Sequence, residues 1–187
     1  MQTLGLAGSE SRSESRWRTL FWPTIRNAED VDYVSQQGFW ICIIIAGFTV
    51  IMSLILGIIS VGIWDALFFF LGAFGVRERS QSATLGALLV YLLGTFLLGS
   101  QLFSGASIIR LVFLAVLVAN VRGNWLANRW SKASGPLQPA ERLNETLIDQ
   151  FSGRLPAILW PKLRYVFFVF LALEILGLGS LIFRQIQ

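Results

Sequence analysis

The chain has 187 residues, 55% hydrophobic and only 14% charged, with a formal net charge of +4. Its mean hydropathy is +0.64, too much apolar surface for a soluble domain of this size to bury, and the length suits one bundle rather than two domains. Having no histidine and one cysteine, Cys42, it excludes His-ligated haem or chlorophyll, His-based zinc sites, cysteine-ligated iron–sulfur clusters and an intrachain disulfide.

Residues 1–38 are expected to form a cytoplasmic basic and aromatic tail. Met1 to Arg16 is rich in Ser, Gly and Glu, and no apolar h-region marks a cleavable signal, so the first apolar run acts as the insertion signal. Trp17, Arg18, Phe21 and Trp22 suit an anionic membrane interface and are candidate partner-docking residues. Asn27 is the expected N-cap of a short helix with Glu29 and Asp30 in its first turn, leading through Tyr33 into the membrane.

Residues 39–123 are expected to form a four-span bundle. Phe39 to Val76 holds one charge, Asp65, and as a single helix would reach about 57 Å, nearly twice the roughly 30 Å of a bilayer core. It is therefore divided into spans at 39–57 and 61–76, with Gly57, Ser60 and Gly62 supplying the turn. After the polar hairpin Arg77 to Ser82, spans follow at 83–99 and 105–123, the last carrying Arg110. Gly72 with Gly75, Ala83 with Ala87, and Ser53 with Gly57 are candidate close-contact pairs. Cys42, inside an apolar run, reads as a small buried hydrophobe.

Residues 124–161 form the expected cytoplasmic loop. In it Leu143, Leu147, Ile148 and Phe151 recur at helical spacing between Pro139 and Gly153, marking a short interfacial amphipathic helix and a second docking element. Residues 162–187 hold the fifth span, opened by Pro161 and containing Glu174. The fold class expected is thus all-α, an integral membrane bundle of five transmembrane helices with short interfacial helices. With the N-terminus in the cytoplasm and the C-terminus on the far side, all but Arg110 and Arg184 of the 15 basic residues fall on the cytoplasmic side, as the positive-inside rule requires.

No nucleotide loop, metal spacing or Ser/His or Cys/His pair is present, so no enzyme is expected. Asp65, Arg110 and Glu174 are the ionisable residues inside the spans, all at similar depth, and form an expected ion-paired polar cluster. Asn120 is expected to make an interhelical hydrogen bond. The aromatic runs Phe68–Phe70 and Tyr165–Phe170 point around their whole helices, which favours lipid contact and core packing, with pigment contact left open. No cofactor is predicted.

Gln36-Gln37-Gly38-Phe39-Trp40, Arg77-Glu78-Arg79-Ser80-Gln81-Ser82-Ala83 and Val121-Arg122-Gly123-Asn124-Trp125 together resemble small uncharacterised bacterial polytopic membrane proteins. The resemblance covers about residues 30–130 and implies a bacterial origin but no activity. The functional expectation is a non-catalytic accessory or structural subunit of a larger bacterial inner-membrane assembly, of an energy-transducing, respiratory or photosynthetic kind. Its expected partners are lipid and other membrane subunits, not nucleic acid. The alternative is a small transporter or ion-conducting protein working through Asp65, Arg110 and Glu174.

Overall fold

The computed structural model describes residues 28–97, 105–134 and 147–186, with side chains over 30–97, 108–129 and 151–183. They form five helices: α1 (Ala28–Leu56), α2 (Ile59–Arg77), α3 (Gln81–Leu97), α4 (Gly105–Ser134) and α5 (Leu147–Ile186). Four of these, α1, α2, α4 and α5, are long and apolar enough to cross a membrane, and α3 is a shorter apolar helix. The helices pack as a ring in which α1 meets α2, α2 meets α3, α3 meets α4 and α4 returns to α1. The remaining helix, α5, lies in the groove between α2 and α3. Accordingly 56% of the apolar window of α2 is buried but only 6% of that of α5.

Two tight turns set the alternation of direction. Gly57 has φ +71°, its N–H bonds the Leu54 carbonyl at 3.3 Å, and the Ile58 N–H bonds Ser53 at 3.0 Å. This paired closure of a helix end needs a left-handed residue, which glycine supplies without a Cβ penalty. The α2–α3 turn repeats the pattern with Arg79 at φ 57°: Arg79 N–H to Val76 at 3.1 Å, Ser80 N–H to Gly75 at 2.9 Å. This turn, the start of α1, the C-terminal part of α4 and the start of α5 make one end of the bundle, here the basic end. The Gly57 turn marks the neutral end.

Small residues bring the helices together. A Cβ on Gly75 would collide with Ala83 and Trp160, one on Gly62 with Ser53, and one on Gly38 with Asn120. Ala83 and Ala87 are fully buried, so the expected contacts through Gly75, Ala83 and Ala87 are formed, while Gly57 serves the turn instead. Phe39, Phe68, Phe74, Leu117 and Phe167 fill the core, with Phe68 stacked on Phe167 at 5.2 Å. Phe70, Tyr165 and Phe168 of the same aromatic runs stay exposed. Cys42 is buried, as its apolar setting requires.

Three expectations are corrected. The first turn consists of Gly57 and Ile58 alone, and Ser60 and Gly62 lie inside α2. The short helix before span 1 is not separate: α1 runs unbroken from Ala28. Nor does Gly153 end an amphipathic helix or Pro161 open a new one; both lie inside the 40-residue α5, as does Pro156. Ser152, Pro156, Trp160 and Phe167 are all buried and recur at helical spacing, so one continuous stripe holds the segment to its neighbours through both prolines.

Gly38→Ala is expected to destabilise the bundle by about 1–3 kcal/mol through overpacking against Asn120. Gly47→Ala, whose methyl meets nothing within 4 Å, should leave stability unchanged or slightly higher. Thermal unfolding in detergent, followed by helical circular dichroism, distinguishes the two; equal effects would rule out a close approach at Gly38.

Candidate functional site

Polar side chains gather in two places. The first is the basic end, where Arg77 closes α2. Its Nη1 donates to Asp32 Oδ1 at 2.6 Å and to the Asp32 carbonyl at 3.3 Å, and its Nη2 donates to Asp32 Oδ2 at 3.4 Å. Its Nε donates to the Ser152 carbonyl at 2.7 Å. Ser152 is the residue four before Pro156, which has no N–H to offer it. The guanidinium therefore fills the acceptor that the proline leaves open, and one side chain joins α1, α2 and α5. Arg79 adds a longer ion pair to Asp32 at 3.5 Å. The Arg77 and Asp32 side chains are only 10% and 13% exposed, so the pair is bonded on most sides and largely out of water.

Beside it lies a fully buried amide–hydroxyl group. Asn120 Nδ2 donates to the Val34 carbonyl at 2.7 Å, the interhelical bond expected of it. The turn of α1 over which it reaches includes Gly38, which leaves the room. Asn124 Nδ2 donates to Thr84 Oγ1 at 2.6 Å and approaches Asn120 Oδ1 at 3.4 Å. Ser35 Oγ donates to the Val31 carbonyl at 2.9 Å and lies 3.3 Å from Asn124 Oδ1. All four residues have zero exposure, and their polar groups serve one another, the backbone of α1 and the Ser80 carbonyl of the α2–α3 turn. Such a group fixes helix register, because any slip would strand a polar atom in apolar surroundings.

The second place is toward the neutral end. Asp65 of α2 and Glu174 of α5 stand at one site, where their helices meet. They border an open lateral groove of about 370 Å³, lined also by Ser60, Val61, Trp64, Phe170 and Leu173. Arg110 does not join them: among the described residues no ion pair links it to either acid. It lies three residues before Phe113, whose ring meets Tyr91 of α3 at 6.4 Å, and its Nη1 is buried without a hydrogen-bond partner among the described residues. The reason is the packing order. The acids lie on helices that meet, whereas α4 packs chiefly on α1 and α3.

Of the candidate docking residues, Trp17, Arg18, Phe21, Trp22 and Leu143 lie outside the described residues, as do the side chains of Leu147 and Ile148 in the first turn of α5. Phe151 is turned onto α1, with ring centroids 6.0 Å from Phe39 and 6.3 Å from Trp40. Next to it, Gln36 Nε2 donates to Ser152 Oγ at 3.3 Å. The Asp32–Arg77–Ser152 junction carried no local motif; Pro156 four residues after Ser152 was the one signal that an outside donor was needed. Among the described residues no group of three metal-ligating side chains occurs. Comparison with protein-family models, with curated proteins and with solved structures gives no match.

Arg77→Met is expected to cost about 1–3 kcal/mol, because it leaves the Ser152 carbonyl unfilled and Asp32 without its shortest ion pair. Pro156→Ala restores a helical N–H to Ser152, so it should stabilise the Arg77→Met protein more than the wild type. The four proteins form a double-mutant cycle readable by thermal unfolding in detergent. An equal gain in both backgrounds would mean that the arginine does not serve that carbonyl.

Proposed function

We propose that this protein is a non-catalytic structural subunit of a larger assembly in a bacterial inner membrane, crossing the bilayer five times with its N-terminus in the cytoplasm. The observation that carries the reading is how the polar side chains of the core are used. Asn120, Asn124, Thr84 and Ser35 bond one another and the backbone, and Arg77 bonds Asp32 and Ser152, so they lock helices rather than face a cavity. Catalysis would need positioned acid, base or nucleophile groups in a water-filled site. The wide exposed apolar flank of α5 gives neighbouring subunits and lipid a surface, and the Lys and Arg asymmetry supports the sidedness. The loop-edge sequences that resemble bacterial polytopic proteins support the bacterial setting.

A second reading, a small transporter or ion-conducting protein, is favoured by one observation: Asp65 and Glu174 meet at an open groove within the apolar belt. Purification from native membranes in mild detergent separates the two. The structural reading expects defined partners in fixed ratio, released when residues 1–22 are deleted while the helices stay folded. A protein that runs alone, and whose liposomes show solute or ion flux abolished by Asp65→Asn or Glu174→Gln, would replace it with the transporter. Reporter fusions after residues 80 and 135 should both report cytoplasm, and one at Gln187 the far side; a cytoplasmic C-terminus would rule out five spans.

A further inference from the structure

Among the described residues Arg110 has no ion-pair partner, and its Nη1 is buried and unbonded in an apolar bundle, which is a costly place for a guanidinium. The rest of the side chain is partly exposed at the α3–α4 flank. On another flank the carboxyls of Asp65 and Glu174 line one open groove. Asp65 comes six residues after the first of α2 and Arg110 five after the first of α4. Both helices start at the neutral end, so the charges lie about 9 and 8 Å from it, at a common depth. Since α2 and α4 stand diagonally across the ring, one copy cannot close the pair within itself.

We propose that the protein associates with a second copy of itself in the membrane, Arg110 of one copy entering the groove at Asp65 and Glu174 of the next. The guanidinium fork matches carboxyl oxygens in bidentate fashion, and the groove also presents the rings of Trp64 and Phe170, 5.1 Å apart and tilted by 40°, as faces for a cation. The two patches lie on different flanks, so the contact is head-to-tail and repeats around a closed ring or along a row.

The test uses the full chain in reconstituted membranes, with two differently tagged copies, both Cys42→Ser. One carries Val61→Cys in the groove and the other Ile109→Cys beside Arg110; both positions are open, at 59% and 53% exposure. A short thiol cross-linker should join the two tags. Arg110→Gln on the Ile109→Cys copy should lower the yield by about tenfold or more, yet leave it unchanged when placed on the Val61→Cys copy. Asp65→Asn with Glu174→Gln should behave in mirror image. A folding defect would act in both placements, so the placement rule isolates the contact. No joined product, or a yield indifferent to which copy carries the change, overturns the proposal. So does phospholipid retained through Arg110 without cross-linking, which would assign the arginine to a lipid phosphate.

Discussion

The bond from Arg77 Nε to the Ser152 carbonyl replaces one that Pro156 cannot make, and the arrangement of the basic end depends on it. A proline inside a helix costs about 3 kcal/mol, partly because its partner carbonyl is left open. Here that carbonyl becomes the attachment point of another helix. The same guanidinium clasps Asp32, so α1, α2 and α5 meet at one planar group. Directly after it the chain turns through Arg79, a non-glycine residue held left-handed. The ion pair to Asp32 helps to offset that strain. Turn, helix end and peripheral helix are thus fixed by the side chains of Arg77 and Arg79.

Between apolar helices in lipid there is little hydrophobic gain, so association rests on close packing and on hydrogen bonds that have no better alternative. Both are present and share the same places. Gly38 gives Asn120 its route to the Val34 carbonyl, and Gly75 gives Trp160 and Ala83 a seat on α2. Removing a Cβ and adding an amide are complementary devices: the first lets the helices approach, and the second fixes their register.

The apolar helices and their turns were legible because length alone forbids one helix from Phe39 to Val76, and because Gly57 stands where the break must fall. Asn120 was legible as an interhelical donor, since a buried amide must find a partner. The continuity of α5 was not. Gly153, Pro156 and Pro161 are local stop signals, and the donor that overrules one of them lies 75 residues away in the chain. Arg77 looked like a loop charge for the same reason. Depth along a helix can be read from sequence, which is why Asp65 and Glu174 were grouped and do meet. The direction in which a side chain leaves its helix axis depends on the packing order, so Arg110, equal in depth, was drawn into a group from which the ring separates it.

The Gly57 turn also bears on how the chain is made. Only Gly57 and Ile58 separate α1 from α2, too few residues to cross a bilayer or to wait outside one. A chain entering a membrane must therefore deliver the two helices as a single hairpin. α1, with a hydropathy of 2.7, carries with it the less apolar α2, at 1.9 and burdened by Asp65. If residue 57 resisted the left-handed bend and the helix ran on, the loss would not be confined to one turn. In the proposed five-span arrangement every later segment would thread in the opposite sense, and Arg77 would emerge on the opposite face of the membrane. In that arrangement the sidedness of all that is synthesised after Gly57 rests on a single backbone angle.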